Sequence, residues 1–164
     1  MEGALEMAGQ PVKRGTMAHD HDVYILLADI AAQQRDADAV LKFAPRAEAL
    51  ATRDGHTLYL AIAHRTRGVA HRLAGQSAEA AARLDRALEL FTELGMRWQI
   101  GRTLGELAEL HRAGPDPDHG WELLVRAVAE FEAIGAAPDA KRARAVLETR
   151  DVPGGRSGDA CRNT

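Results

Sequence analysis

The chain predicts an all-α fold, a superhelix of three helical hairpins plus a C-terminal helix, and three observations predict it. The sequence repeats with a period of 40 residues: Gly55, Gly95 and Gly135 align, as do Ala28, Gly68 and Ala108, and Ala47, Ala87 and Ala127. Small residues at one phase of successive units mean that helices approach closely at each junction. Within each unit apolar residues recur at helical spacing, as in Leu60, Ala63, Val69 and Ala70, then Leu84, Ala87, Leu88 and Phe91. Hydrophobic residues make up 46% of the chain, yet aromatics only 4%, and alanine dominates. Thin alanine-lined contacts suit such a composition better than a bulky centre.

The elements follow in order. Residues 1–18 show weak periodicity and read as a flexible N-terminal segment. The helical repeat domain covers 19–150. Unit one (20–55) holds helix A at 20–34 and helix B at 37–53. Unit two (56–95) holds helices at 57–74 and 77–94, and unit three (96–135) at 97–113 and 117–134. A last helix at 138–150 matches the start of a fourth unit. Residues 151–164, rich in Gly and polar side chains, read as a disordered tail.

Boundary residues agree with these spans. Asp36, Ser77 and Asp116 stand at the starts of the B helices, where a side-chain oxygen caps first-turn amides. Pro117 and Pro138 suit a first helical position, where a missing N–H costs nothing. Gly55, Gly95 and Gly135 end the B helices as left-handed caps. Pro45 falls inside a B helix and predicts a kink or a late start.

Composition narrows the function. The 164 residues suit one soluble domain, and a net charge of -3 gives no global attraction to nucleic acid or to an anionic membrane. Cys161 is the only cysteine, so an intrachain disulfide and a cysteine metal site are excluded. The start has no apolar signal core, and no run approaches the ~18 apolar residues of a membrane span, which makes the cytoplasm the expected compartment. No phosphate loop, nucleophile elbow or dinucleotide fingerprint occurs, so no enzyme and no cofactor are expected. Histidines do not build a metal site either: HExxH is absent, and His64 and His71 are two turns apart.

The columns resemble the tetratricopeptide repeat (TPR), which sets small residues in mid helix A and small, large and small residues along helix B. Unit two gives Gly68, His71, Ala80, Leu84 and Ala87; unit three gives Ala108, His111, Gly120, Leu124 and Ala127. Unit one, with Ala28, Ala31, Val40, Ala44 and Ala47, matches less well. The period of 40 exceeds the ordinary ~34 and implies longer helices. Histidine or alanine replaces the usual aromatic of helix A, which makes His71 and His111 packing residues. Long units of this kind resemble the helical-repeat regions of bacterial maltose-regulator-like activators and ATPase-linked nucleotidyl cyclases. The resemblance implies a right-handed superhelix and a protein-interaction or scaffold module of a bacterial signalling or regulatory system. Its A helices would line a concave groove.

Outward positions of the A helices then form the candidate groove: Asp29, Arg65, Arg72, Arg102, Glu109 and Arg112. Arg72 and Arg112 are one repeat apart, so a basic strip is expected to hold an acidic peptide or a partner carboxylate. The competing reading pairs these arginines with Asp29, Glu106 or Glu109 on a solvated face. Asparagine, which clamps extended peptides in this family, occurs only as Asn163, so a folded or helical partner fits better. Trp98 is a candidate interface anchor. Ala140, Ala143, Val146 and Leu147 form an apolar stripe on the last helix that suits homo-oligomerisation. A small-ligand or enzymatic groove built on the Arg strip is the alternative of another class.

Overall fold

The computed structural model describes residues 20–150. The expectations for 1–18 and 151–164 fall outside those residues. Among the described residues seven α-helices follow in order: α1 (Asp20–Gln33), α2 (Ala37–Arg53), α3 (Thr57–Leu73), α4 (Ser77–Glu93), α5 (Arg97–Arg112), α6 (Pro117–Ala133) and α7 (Ala137–Glu148). No strand occurs among the described residues. The pairs α1–α2, α3–α4 and α5–α6 are the three hairpins, and each packs on the next. The architecture is the all-α superhelix that the repeat predicts.

The glycine column works as expected. Gly55, Gly95 and Gly135 have φ of 67°, 66° and 69°, the left-handed region that a Cβ disfavours. The amide one residue later reaches back five residues, as from Ala136 to the Phe131 carbonyl at 2.9 Å, and closes the helix end. Two of the three A-to-B turns use the same region, at Gly75 (φ 74°) and, without a glycine, at Arg35 (φ 59°).

Capping differs in one unit. Asp36 accepts from the Ala39 amide at 2.9 Å, and Asp116 from the His119 amide at 3.1 Å. Ser77 does not cap; it is the first helical residue of α4, and Gln76 stands before it without a side-chain cap bond. The cap column runs 36, 76, 116, so the serine is one position too late. Pro45 differs too. The late start does not occur: α2 begins at Ala37 and continues through Pro45, which lies on the exposed face while Phe43, Ala44 and Ala47 are buried.

Close approach sets the core. Ala28, Ala47, Ala87 and Ala127 are each 0% exposed. A Cβ at Gly68 would sit 2.6 Å from Leu84 Cγ, so that crossing needs glycine. α7 spends its apolar stripe on the same core: Ala140 is buried, and Ala143, Val146 and Leu147 pack against the third unit. The stripe expected to be free for a second copy is thus the face by which α7 is attached. Among the described residues, exposed apolar side chains at the other end include Val23, Leu26 and Ile30 on α1. No helix among the described residues is long and apolar enough to cross a membrane.

Candidate functional site

The A helices α1, α3, α5 and α7 carry the candidate residues. Across the first three of them the strip is an ion-pair network. Asp29 on α1 accepts from Arg65 of α3 at 2.8 Å and from Arg102 of α5 at 3.2 and 3.4 Å. Arg65 also donates to Gln99, and its guanidinium lies 5.2 Å from the Phe91 ring centre. Arg72 reaches Glu106 at 2.8 Å and Glu109 at 2.9 Å. Arg35, from the first A-to-B turn, reaches the same two carboxylates at 2.8 and 3.1 Å. That double pairing anchors the residue that adopts positive φ without being glycine.

Burial and charge tune the network. Arg65 is 2% exposed and lies beneath the groove surface rather than on it. Burial, with Arg102 adding repulsion, pushes its guanidinium down to about 10, so it stays charged at neutral pH. Burial raises the Asp29 carboxyl, but Arg65 and Arg102 outweigh it and hold the group below its ordinary value. Only about 20 Å³ of space remains between Asp29, Arg65 and Arg102. In the first two units Arg65 and Arg72 therefore hold carboxylates of the chain itself, Arg65 beneath the surface rather than on the solvated face that the competing reading expects.

The surface opens further along. Contacts between successive A helices are dense at α1–α3, few at α3–α5, and sparser still at α5–α7. A cavity of about 360 Å³ fills the last gap. Its floor is Gly105, Ala108, Leu124, Ala127, Phe131 and Val146, and its rim is Arg102, Glu106, Glu109, Arg112, Asp139 and Arg142. Arg112 stands apart on this rim. Its guanidinium lies 4.0 Å from the Trp121 ring centre, its Nε is shut from solvent without an acceptor, and no described carboxylate pairs with it. Gly120 admits that arrangement, since a Cβ there would meet Arg112 Cγ at 2.6 Å.

Trp98 is 41% exposed at the edge of the same region. Arg102 covers its ring at 4.8 Å, and its Nε1 donates to Asp139 at 3.3 Å. No described group of His, Cys, Asp and Glu is placed to hold a metal. His71 bonds Gln76 through Nδ1 at 2.6 Å, and His111 sets its edge to His119 at 4.7 Å, so both pack locally.

Sequence reasoning missed a second polar cluster, between units one and two. Glu48 of α2 holds Arg67 of α3 and Arg83 of α4, the latter at 2.7 Å. Arg83 also donates to His64 Nδ1 at 3.0 Å, which requires the neutral ring. Burial lowers the His64 pKa, in line with that geometry. The signal was available: these four positions are all leucine one repeat later, at 88, 104, 107 and 123.

No protein-family model matches the chain, and no curated protein matches it. Among solved structures, the crystal structure of BtubC (BKLC) from P. vanneervenii is similar, with a TM-score of 0.62 at 17% identity. The match covers 98% of this chain and 78% of that one. At this identity the likeness shows the fold alone: an all-helical, repeat-like stack.

Proposed function

We propose that this chain is a non-enzymatic protein-interaction module of tetratricopeptide type, a scaffold within a bacterial signalling or regulatory system. One observation carries the reading. The A-helix side is closed by ion pairs over the first three A helices and opens between α5 and α7 into a cavity with an apolar floor and a charged rim. An apolar centre within polar surroundings is the usual anatomy of a docking surface. A small-ligand or enzymatic groove built on the Arg strip has less support, because Arg65, Arg72 and Arg102 already hold carboxylates of the chain itself. The test is cross-linking in source-cell extract with the sites mapped. The reading expects partner cross-links on α5 and α7 that Arg112→Glu removes. Cross-links confined to α2, α4 and α6 overturn it.

A second reading, self-association, has its own observation. The repeat places Val23 and Ile30 in columns that are buried in the later units, at Ala63 (0% exposed), Ala70 (1%), Thr103 (0%) and Leu110 (8%). Val23, Leu26 and Ile30 lie three and four residues apart on one face of α1, and a second copy pairing through α1 would cover them. Light scattering decides it: a dimer dispersed by Leu26→Glu supports pairing, and a monomer at all concentrations excludes it.

A further inference from the structure

Gly105 differs from the other glycines within the helices. A Cβ at Gly68, Gly101 or Gly120 would collide with Leu84, the Phe131 ring or Arg112, whereas a Cβ at Gly105 meets nothing within 4 Å. Glycine inside a helix costs about 1 kcal/mol relative to alanine, and nothing in the chain's own packing requires it here. The repeat shows what is missing. The same position holds Ile25 in unit one and Arg65 in unit two, both buried and both filling the space between successive A helices. Arg65 stands over Phe91; one repeat on, Phe131 packs against Gly101 and lines the cavity, and position 105 adds no side chain beside it. The cavity of about 360 Å³ therefore includes the space that the side chain at this position takes in the earlier units.

The rim states the charge of what replaces it. Arg102 is paired with Asp29, Glu106 and Glu109 with Arg72, and Asp139 with Arg142. Of the rim residues, Arg112 alone has no carboxylate partner among the described residues. It follows Gly105 by seven residues on α5, two turns or about 10 Å along the axis.

We infer that the cavity is a binding site for one acidic amphipathic helix of a partner protein. An aliphatic side chain of that helix enters over Gly105, in the place that Ile25 fills in unit one. A carboxylate two turns away pairs with Arg112, which is held on Trp121 to receive it. This rests on the interaction-module reading and gives its partner a chemistry.

The experiment uses the full chain, labelled for amide NMR, and two alanine-rich helical peptides of about 15 residues. One carries Leu and Glu seven positions apart; its twin has Lys in place of Glu. The expected result is that the acidic peptide shifts the Gly101 and Gly105 amides and the Trp121 indole, and that its twin binds at least tenfold more weakly. Gly105→Ile occupies the part of the cavity that the partner's aliphatic side chain would enter, and is expected to abolish the shifts without lowering the melting temperature. Gly105→Ala leaves most of the space and is expected to retain binding within a few-fold. Equal binding of the two peptides, binding that survives Gly105→Ile, or no binding by either overturns the inference. The interaction-module reading survives those outcomes if mapped cross-links still fall on α5 and α7, and fails with the inference if they do not.

Discussion

Two junctions of this molecule share a backbone plan and differ in chemistry at the same four positions. Between units one and two stand Glu48, His64, Arg67 and Arg83, linked by ion pairs and a hydrogen bond. Between units two and three stand Leu88, Leu104, Leu107 and Leu123, part of one continuous apolar cluster. Hairpins stack at both junctions, so stacking itself does not depend on the chemistry at these positions; the alanine and glycine columns permit it. What the four positions decide is how the junction responds to conditions. A leucine junction is indifferent to pH and salt, whereas a charged one weakens when any member loses its charge or its partner.

The comparison is open to direct attack. Leu104 is 1% exposed, and Leu104→Ala is expected to lower stability by about 3 kcal/mol in urea unfolding. Converting Glu48, His64, Arg67 and Arg83 together to leucine copies the second junction into the first, and should raise stability by about 2 kcal/mol. A loss of stability in that variant would mean that the first junction has a different shape. Glu48→Gln alone is expected to cost about 1 kcal/mol, since it removes the counter-charge of two part-exposed arginines.

The smallest effect is one of pH. Burial, the main influence, holds the His64 pKa below its ordinary 6.5, so the unfolded chain binds the proton more readily than the folded one. The contribution is complete above about 6.5 and shrinks as pH falls below it. His64→Leu should flatten the stability profile in that window. A second loss belongs to Glu48 and Asp29. Burial raises both carboxyls, yet their arginines hold them below ordinary values, so the stability they give is present above about pH 4 and is lost as pH falls further. Hydrogen exchange near pH 3 should then open α1–α3 before α5 and α6.

Much of the fold was legible because close approach leaves its mark in small residues. Ala28, Gly68 and Ala108 announced the crossings, and Gly55, Gly95 and Gly135 the helix ends. The site was legible only in part. The pairing of Arg72 with Glu106 and Glu109 follows from helix phase, but Arg35 comes from a turn, and helical spacing does not assign a partner to a turn residue. Burial of Arg65 was not visible either, since an arginine at an outward phase looks solvated until the next helix covers it. The cavity depends on the spread of α5 from α7, a property of tertiary packing. Its one trace in the sequence is Gly105, standing where the earlier units have Ile25 and Arg65.

The pairing of α1 with α5 has a consequence for how the stack comes apart. In an ideal solenoid each repeat feels only the one beside it, and total stability is a sum of single-repeat and adjacent-pair contributions. Asp29 to Arg102 and Arg35 to Glu106 skip a repeat, spanning 73 and 71 residues of chain. They add a next-neighbour contribution that such a sum lacks. Fraying of the first hairpin therefore strips carboxylate and guanidinium partners from the third, and while those carboxylates are ionised the short array opens as one cooperative body; protonating them near pH 3 releases the first hairpin to open ahead of the third.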